Sequence, residues 1–311
     1  MIDVQRLETF IFAAEYLSFS EAAKQLNLTQ PTVSYHIKAL EKELGVELFI
    51  WSGGSHLQMT EAARMLLPWA RRLLNQSNEI QEMVASFQEG VVGQLRFACS
   101  TTAGKYILPQ LAARFRRRYP GIRVSIMRCV SGGVTDILLN NEANLGVVSF
   151  EVDDSHIERQ EFFNDSITLI APKNHPWVGR KSIEPEEIIN EPLIIREPTS
   201  GTRKVMLTEL AKHDISLDDL NIFMELGNAE AIVRTVAAGY GVSFVSTLAT
   251  AFPLELGQVV KVQISGMNLR RKIFMIRKRL EEPHRPQEVF WSFIRNPDNE
   301  DLLRLAEGNH L

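Results

Sequence analysis

The segment SFSEAAKQLNLTQPTVSYHIKALEKEL, residues 18–44, has the pattern of two short helices joined by a tight turn. Ser20 is predicted to cap the first helix, and Asn27 stands at the break, where a left-handed backbone is tolerated. Thr29 is predicted to cap the second helix, with Pro31 in its first turn, where the missing N–H of proline costs no hydrogen bond. The segment therefore predicts a helix-turn-helix.

The second helix has one apolar and one polar face. Apolar residues recur at i, i+4, i+7 and i+11 from Val33 to Leu44 and are predicted to be buried. The polar amino end of such a helix reaches base edges in the major groove of double-stranded DNA. An α-hairpin inside a larger core is the alternative. The residues predicted to contact DNA are Thr29, Gln30, Pro31, Thr32, Ser34, Tyr35 and Lys38, with Ser52, Ser55 and His56 in a following wing.

The amino-terminal segment is acidic, which is unusual for a DNA-binding domain. Residues 1–60 carry four basic and seven acidic side chains, a formal net charge of −3. Basic side chains that neutralise phosphates supply much of the affinity for DNA. A single copy of this segment is therefore expected to bind DNA weakly, so that binding requires several copies.

Residues 60–88 carry an apolar seam typical of a helix that pairs with a copy of itself. The apolar positions are separated by alternating steps of four and three, and Gln76 fills the one gap. Pro68 is expected to bend the helix. An amphipathic helix packed on its own domain is the alternative. The predicted dimerisation residues are Leu66, Trp69, Leu73, Ile80, Met83 and Phe87, preceded in the seam by Ala62.

Strands and helices alternate along the rest of the chain, which predicts two α/β lobes, each with a parallel sheet, facing each other. In open sheets of this kind the ligand lies at the carboxyl ends of the strands, beside helix amino termini. The predicted divisions are 1–59 for DNA binding, 60–90 for the linker helix and 91–311 for effector binding, with lobe I at about 91–166 and 269–311 and lobe II at about 167–268.

Hydroxyl and amide side chains follow several of the predicted strands. Backbone N–H groups and the helix dipole at such junctions can hold an anion, although a simple N-cap is the commonest use of these residue types. Their convergence on one cleft favours a small anionic metabolite. The predicted effector-binding residues are Ser100, Thr101, Thr102, Ser131, Ser149, Thr199, Ser200, Thr202 and Asn228.

The composition excludes several protein classes. The 311 residues are 45% hydrophobic and 23% charged, as in an ordinary soluble protein, and no run of 18 apolar residues predicts a membrane span. The amino terminus lacks a basic segment leading into an apolar core, so no secretory signal is predicted. Cys99 and Cys129 form no CxxC or Cys/His cluster. We expect a cytoplasmic protein without a metal or other cofactor.

A shared pattern runs through FxxAAEYLSFSEAAKQLNLTQPTVSYHIKALEKELGVELF (10–49), LRFACSTTAGKYILPQL (95–111), NHP (174–176), REPTSGTR (196–203) and ELGNAEAIVRTVAAGYGVSFVS (225–246). Together these stretches resemble the LysR-type transcriptional regulators over nearly the full chain. The STTAGKY and RExxSGTR stretches look most like the branch that controls carbon-fixation and related anion-metabolism genes.

The resemblance implies an α/β protein of three parts: a winged helix-turn-helix, a coiled-coil linker helix, and an effector domain folded like a two-lobed periplasmic binding protein. It implies a homotetramer built from two dimers. The implied partners are an operator in double-stranded DNA, a small anionic effector and further copies of the chain. RNA polymerase is a further candidate partner. The implied function is operator binding that the effector modulates.

The chain departs from the family pattern at three places. Tyr35 replaces the arginine that usually follows the serine at Ser34, and it can still stack on or hydrogen-bond with a base edge. The wing has Ile50 and Trp51 and lacks both of its usual basic residues; Trp51 is interpreted as packing under the wing. Asn144 replaces an aspartate and is interpreted as altering a structural contact.

Two other function classes stay open at this stage. A two-lobed solute-binding or enzymatic protein could use the helical amino terminus as an oligomerisation arm, since a fold does not decide function. That class predicts a catalytic constellation in the cleft, and the sequence offers none: no GxSxG, HExxH or P-loop motif occurs. A redox sensor acting through Cys99 and Cys129 is the other class, although strand cysteines are usually small buried hydrophobes.

Overall fold

The computed structural model describes residues 2–52, 56–99, 102–129, 132–279 and 284–307. The chain divides into two compact units. The first unit extends to Gly93 and includes residues 140–142, and the second unit comprises residues 94–139 and those from 143 onward. Within the described ranges, no helix combines the length and apolar character needed to cross a membrane.

The first unit is a helical domain with a small β-hairpin. Its core contains Phe10, Val33, Leu40 and Leu48, all fully buried. The antiparallel hairpin pairs Phe49 with Met59 and Trp51 with Leu57. Its elements are α1 (Val4–Tyr16), α2 (Phe19–Gln25), α3 (Gln30–Leu44), β1 (Phe49–Ser52), β2 (His56–Met59) and α4 (Glu61–Glu89).

The helix-turn-helix is confirmed, with one correction at its first cap. Ser18, not Ser20, caps α2: its side chain accepts the N–H of Glu21 at 3.3 Å, so Ser20 falls inside the first turn. Asn27 has a φ of 54°, as the predicted break requires. Thr29 caps α3 by accepting the N–H of Thr32 at 3.3 Å.

The long helix α4 begins at the cap Thr60 and continues through Pro68 without interruption. Its amino-terminal part packs on the core of its own unit, where Ala63 and Ala70 are fully buried and Leu66 is partly buried. The alternative interpretation of an amphipathic helix packed on its own domain therefore holds for this part of α4.

The second unit is a two-lobed α/β domain. Its largest sheet has the strand order β10-β6-β11-β5-β3-β4, with β9 added alongside β6, and a smaller sheet joins β7 to β8. The elements are β3 (Gly93–Cys99), α5 (Thr102–Arg118), β4 (Ile122–Arg128), α6 (Gly133–Leu139), β5 (Leu145–Val148), β6 (Ile157–Pro172), β7 (Leu193–Arg196), α7 (Gly201–Leu210), β8 (Ile222–Leu226), α8 (Ala229–Ala237), β9 (Ser243–Ser246), α9 (Thr247–Glu255), β10 (Val259–Val262), β11 (Arg270–Lys278), α10 (Arg285–Phe293) and α11 (Glu300–Arg304).

The strand β6 runs through both lobes. Its residues 157–166 pair with β11 in lobe I, and its residues 167–172 pair with β9 and β10 in lobe II. All of these pairings are antiparallel. The prediction of a parallel sheet in each lobe is therefore wrong for these pairings, although β3–β5 and β7–β8 are parallel as expected. Sequence patterning predicted no strand at residues 157–166 because polar side chains interrupt the apolar run. The partners of these polar side chains, such as Lys272 for Glu161, lie on β11, which is distant in sequence.

Asn144 makes a backbone-bridging contact at the edge of β5. Its side-chain oxygen accepts the N–H of Arg96 at 2.8 Å, and its own N–H donates to the carbonyl of Arg96 at 2.8 Å. Gln287 also donates to the carbonyl of Asn144, at 2.8 Å. The residue is buried and joins β3, β5 and α10. This geometry supports the interpretation of Asn144 as a structural contact.

Candidate nucleic-acid interface and effector site

The amino end of α3 presents the predicted DNA-reading face. Tyr35 is 65% exposed, and Gln30, Pro31 and Lys38 are exposed as well. The hydroxyls of Thr29 and Thr32 lie 2.8 Å apart in a hydrogen bond, and Ser34 is half-buried. The face therefore offers an amide, a phenol and an ammonium group to a ligand, with the threonine pair committed to the cap.

Three side chains that sequence reasoning missed hold α3 in place. The hydroxyl of Thr9 lies 2.9 Å from Nδ1 of His36, which joins α1 to α3. At the other end, one carboxylate oxygen of Glu41 accepts the N–H groups of Leu48 and Phe49, at 2.7 and 3.2 Å. These bonds orient the helix and the hairpin relative to each other. Thr9 and His36 are 27 residues apart, so no local pattern indicates the bond between them.

The wing residues are only partly described. His56 is exposed on β2, Ser52 belongs to β1 without a described side chain, and Ser55 lies outside the described residues. Trp51 is 60% exposed, so the interpretation that it packs under the wing is wrong; its ring meets that of Phe19 edge to face, with 6.1 Å between ring centroids.

The acidic residues of this unit are largely occupied by local contacts. Arg6 pairs with Glu43 at 3.4 Å, and Lys24 pairs with Glu21 at 2.6 Å. These pairs also take two of the four basic side chains of residues 1–60. The pairs leave the formal net charge of −3 unchanged, and weak attraction for phosphates stays a prediction.

The predicted dimerisation seam leaves three large apolar side chains in solvent. Trp69 is 62% exposed, and Leu73 and Ile80 are also exposed, whereas Leu66 packs against its own core. The side chains of Met83 and Phe87 lie outside the described residues. Met65, which the heptad pattern did not include, is exposed beside them.

Lobes I and II meet where β5 ends and α7 begins. A Cβ atom placed on Gly201 would lie 2.2 Å from Ser149 Oγ and 2.8 Å from Arg271 Nη1. A Cβ atom would clash here, so only glycine lets the hydroxyl of Ser149 and the guanidinium of Arg271 come this close to the amino end of α7. Of the predicted effector residues, Ser149 is thus placed against the Thr199–Thr202 junction.

The remaining effector residues have different positions. Ser200 caps α7 by accepting the N–H of Thr202 at 3.2 Å, so its hydroxyl serves the helix, and both residues are buried. Thr199 is exposed. Asn228 caps α8 through the N–H groups of Glu230 and Ala231. Ser100, Thr101 and Ser131 lie outside the described residues, and Thr102 begins α5 without a described side chain.

A buried ion pair lies at the crossing between the lobes. Arg271 Nε donates to Asp165 at 2.8 Å, and Ser246 donates to the other carboxylate oxygen at 2.6 Å. Asp165 is fully buried, and the Arg271 side chain is 6% exposed. The pair fixes the guanidinium whose remaining nitrogen, Nη1, approaches Gly201. The two charged residues lie on β6 and β11, strands that are far apart in sequence, so no sequence pattern indicates their pairing.

A second bridge joins α5 of lobe I to α8 of lobe II. Lys105 and Tyr106 both donate to Glu230, at 2.9 and 3.0 Å. Burial, together with Glu230, raises the pKa of Tyr106 to about 12, and the bond from Lys105 lowers the pKa of Glu230. Arg128 adds a bond to the carbonyl of Gly227 at 3.0 Å. The two lobes are therefore held together by charge at this edge.

Cys99 and Cys129 do not form a redox pair in this structure. Neither cysteine is part of a disulfide, and the N–H of Cys129 donates to the carbonyl of Cys99 at 3.2 Å. Burial raises the pKa of the Cys129 thiol, which disfavours the reactive thiolate. These observations argue against the redox-sensor class.

Comparisons with known proteins agree with this geometry. The profile of the bacterial regulatory helix-turn-helix proteins of the lysR family matches residues 4–64, and that of the LysR substrate binding domain matches residues 88–297. A probable RuBisCO transcriptional regulator of Trichormus variabilis is 30% identical over 299 residues, which cover 93% of this chain and 88% of that protein.

Two solved structures share the fold. CbnR, a LysR family transcriptional regulator, has a TM-score of 0.74 at 22% identity and covers 94% of this chain and 98% of its own. The CcmR regulatory domain of Synechocystis PCC6803, in complex with 2-PG, has a TM-score of 0.58 at 24% identity and covers 70% of this chain and 98% of its own.

The family consists of regulators, which favours the regulatory interpretation over the solute-binding or enzymatic one. The RuBisCO regulator also agrees with the predicted resemblance to the carbon-fixation branch. The chain belongs to the LysR family of DNA-binding transcriptional regulators.

Proposed function

We propose that this regulator binds a small anionic metabolite between its two α/β lobes and that the bound metabolite alters operator binding. The observation that carries the proposal is the meeting of Ser149 and Arg271 Nη1 at Gly201, the first residue of α7. A hydroxyl, a guanidinium and the positive end of a helix dipole all favour an anion at that point.

A cavity of about 510 Å³ adjoins this junction and is lined from both lobes. Its acidic side chains are already paired: Glu209 accepts from Lys212 at 2.5 Å, and Glu151 pairs with Arg159 at 3.0 Å. The cations Lys204 and Arg270 also line it, and neither makes an ion pair within the described part of the chain. The cavity therefore has a surplus of positive charge at a volume that suits a small metabolite.

The ligand class to test first is a short phosphorylated carboxylate. The CcmR regulatory domain was solved with 2-PG, which is 2-phosphoglycolate. Such a multiply charged anion would match the cation surplus beside Ser149. Closing the lobes on it would bias one geometry of the assembled protein over another. Coupling energies of this kind are typically about 1–3 kcal/mol, so the effector would tune operator binding rather than abolish it.

Assembly is the other part of the proposal. Trp69, Leu73 and Ile80 leave an apolar stripe on α4 that a second copy would cover. The strand β8 also exposes its apolar side chains, with Phe223 being 51% exposed, and offers a further surface for pairing dimers into a tetramer. Because each amino-terminal unit is acidic, several copies on one operator would supply the affinity. We place this activity in the cytoplasm, with RNA polymerase as a candidate partner.

Calorimetric titration of the full-length protein tests the effector site. We expect 2-phosphoglycolate or inorganic phosphate to bind the wild type, and Ser149→Ala and Lys204→Gln to weaken that binding at least tenfold. Lys181→Gln is the matched control, because Lys181 is an exposed lysine of lobe II outside the cavity. If no anion binds, or if Lys204→Gln binds as tightly as Lys181→Gln, the cavity is not the sensor.

A further inference from the structure

A larger cavity, of about 1080 Å³, lies among α5, α8, α9 and the carboxyl-terminal turn at residues 305–307. Among the described residues, it shares no lining side chain with the 510 Å³ cavity beside Ser149, and none of those predicted to bind the effector lines it. Its volume is at the upper end of the range for small-molecule sites. The proposed effector site therefore leaves a separate, larger cavity without an occupant of its own.

The walls of this cavity are largely apolar. Ile107 on α5, Val233 on α8 and Ala249 on α9 are buried where they line it. At the carboxyl end of α9, Phe252 and Leu256 also line the cavity, yet they are 67% and 52% exposed. The effector domain thus presents a concave apolar surface, part of which lies in solvent. A ligand with an apolar body would remove that surface from water.

The charged side chains around the cavity give it a surplus of positive charge. Glu230 is the one acidic residue among the described lining residues, and it accepts from Lys105 at 2.9 Å and from Tyr106 at 3.0 Å. Lys173 and Arg234 also line the cavity and are exposed, and neither makes an ion pair within the described part of the chain. The carboxylate is already bonded to its own partners, so two cations remain for a ligand.

The combination of apolar walls and two unpaired cations indicates the chemistry of the ligand. A neutral apolar molecule would leave the cations unmatched, and an inorganic anion would leave Phe252 and Leu256 in water. A molecule with an apolar body and one acid group satisfies both features. Burial of its body contributes roughly 25 cal/mol per Å² of apolar surface, and its acid group can form charge-assisted hydrogen bonds with an ammonium or a guanidinium.

We propose that this cavity is a second ligand site of the effector domain, which binds an amphipathic carboxylate with an aromatic or medium-chain aliphatic body. The acid group pairs with Lys173 and Arg234, and the apolar body packs on Phe252 and Leu256. The occupant also contacts the charged bridge that joins α5 to α8, since two groups of that bridge belong to the wall. This inference goes beyond the proposed effector and does not depend on it.

Calorimetric titration of the full-length protein with 2-naphthoate and with decanoate tests the proposal. We expect 2-naphthoate to bind at least about tenfold more tightly than 2-naphthamide, which has the same rings without the charge. Lys173→Gln should weaken 2-naphthoate binding about fivefold and leave the binding of 2-naphthamide unchanged. Lys261→Gln is the matched control, because Lys261 is an exposed lysine of lobe II that does not line the cavity.

A second pair of variants fills the cavity without removing a charge. Ala238 and Ala211 are exposed residues at the carboxyl ends of α8 and α7, and both have right-handed helical backbones. Only Ala238 lines the cavity. We therefore expect Ala238→Trp to abolish binding of both carboxylates, and Ala211→Trp to bind them like the wild type.

Several outcomes would overturn the proposal. It is wrong if neither carboxylate binds, or if Ala238→Trp binds them as tightly as Ala211→Trp. Binding that is lost in Lys204→Gln and kept in Lys173→Gln would place the carboxylate in the smaller cavity instead. Dissociation of the assembled protein by Ala238→Trp alone, measured by sedimentation, would identify a second copy of the chain as the occupant.

Failure of this proposal and failure of the proposed effector site are distinguishable. A protein that binds 2-phosphoglycolate and neither carboxylate keeps the effector site and refutes the second site. A protein that binds 2-naphthoate through Lys173, and neither 2-phosphoglycolate nor inorganic phosphate, supports the second site and contradicts the effector site. We expect both ligands to bind together, so that saturation with one leaves the stoichiometry of the other unchanged.

Discussion

The close approach at Gly201 makes Gly201→Ala a sharp test of how the lobes meet. The new methyl group would lie 2.2 Å from Ser149 Oγ and 2.8 Å from Arg271 Nη1, and real Cβ contacts essentially never fall below 3.0 Å. Ser149 or the guanidinium must therefore move. Overpacking of this kind typically lowers the free energy of unfolding by about 1–3 kcal/mol.

Gly227→Ala is the matched control, because no heavy atom lies within 4 Å of a Cβ at that position. Both substitutions share the gain of about 0.4–1 kcal/mol that alanine brings by restricting the unfolded chain. The difference between the two variants therefore isolates the clash, and we expect about 1–3 kcal/mol.

Urea unfolding of the full-length protein, followed by tryptophan fluorescence, measures this difference, since Trp177 and Trp291 are buried in the second unit. Adding Ser149→Gly to Gly201→Ala removes the hydroxyl and its Cβ and should restore at least half of the lost stability. A Gly201→Ala protein as stable as Gly227→Ala would refute the close approach of Ser149 and Arg271.

Three further outcomes are expected. Tyr35→Ala should relax sequence preference at one base pair per half-site, whereas Lys38→Ala should weaken all sequences about equally and lower the salt slope by about one, as measured by binding titrations. Leu73→Asp should dissociate the α4 pair in sedimentation experiments and weaken operator binding; unchanged sedimentation would exclude the seam. Arg114 lowers the pKa of Asp301 to about 2, so their bond contributes stability above pH 4 that is lost as the pH falls towards 2. Asp301→Asn should flatten acid unfolding across that range, and an unchanged acid transition would contradict the assignment.

Local sequence signals predicted the helix-turn-helix well because its geometry depends on neighbouring residues. Thr29, Pro31 and Asn27 act within a few positions of themselves, so caps and a left-handed turn can be read from the chain. The misplaced cap at Ser20 shows the limit of this method: Ser18 and Ser20 are both acceptable cap residues, and the helix begins after Ser18, whose side chain accepts the N–H of Glu21.

The interlobe site was less predictable because its charges meet across long separations. Ser149 and the Ser200 junction were found from their positions after strands, but their roles differ, since Ser200 is committed to its own helix. Arg271 and Asp165 are 106 residues apart, and only the antiparallel pairing of β6 with β11 brings them together. The sequence pattern predicted no strand at either residue and therefore offered no reason to pair them.

The shared strand β6 determines how the two lobes can move. Its hydrogen bonds change from β11 to β9 and β10 between Ser166 and Ile167, without a flexible linker at that point. A change in the angle between the lobes must then be taken up as torsion of a continuous strand, with Asp165 bonded to both sides of the crossing. The resting angle thus depends on this strand as well as on the contacts between the lobes. Variants that act as if the effector were always bound should map to this crossing, and their mutations need not touch the cleft.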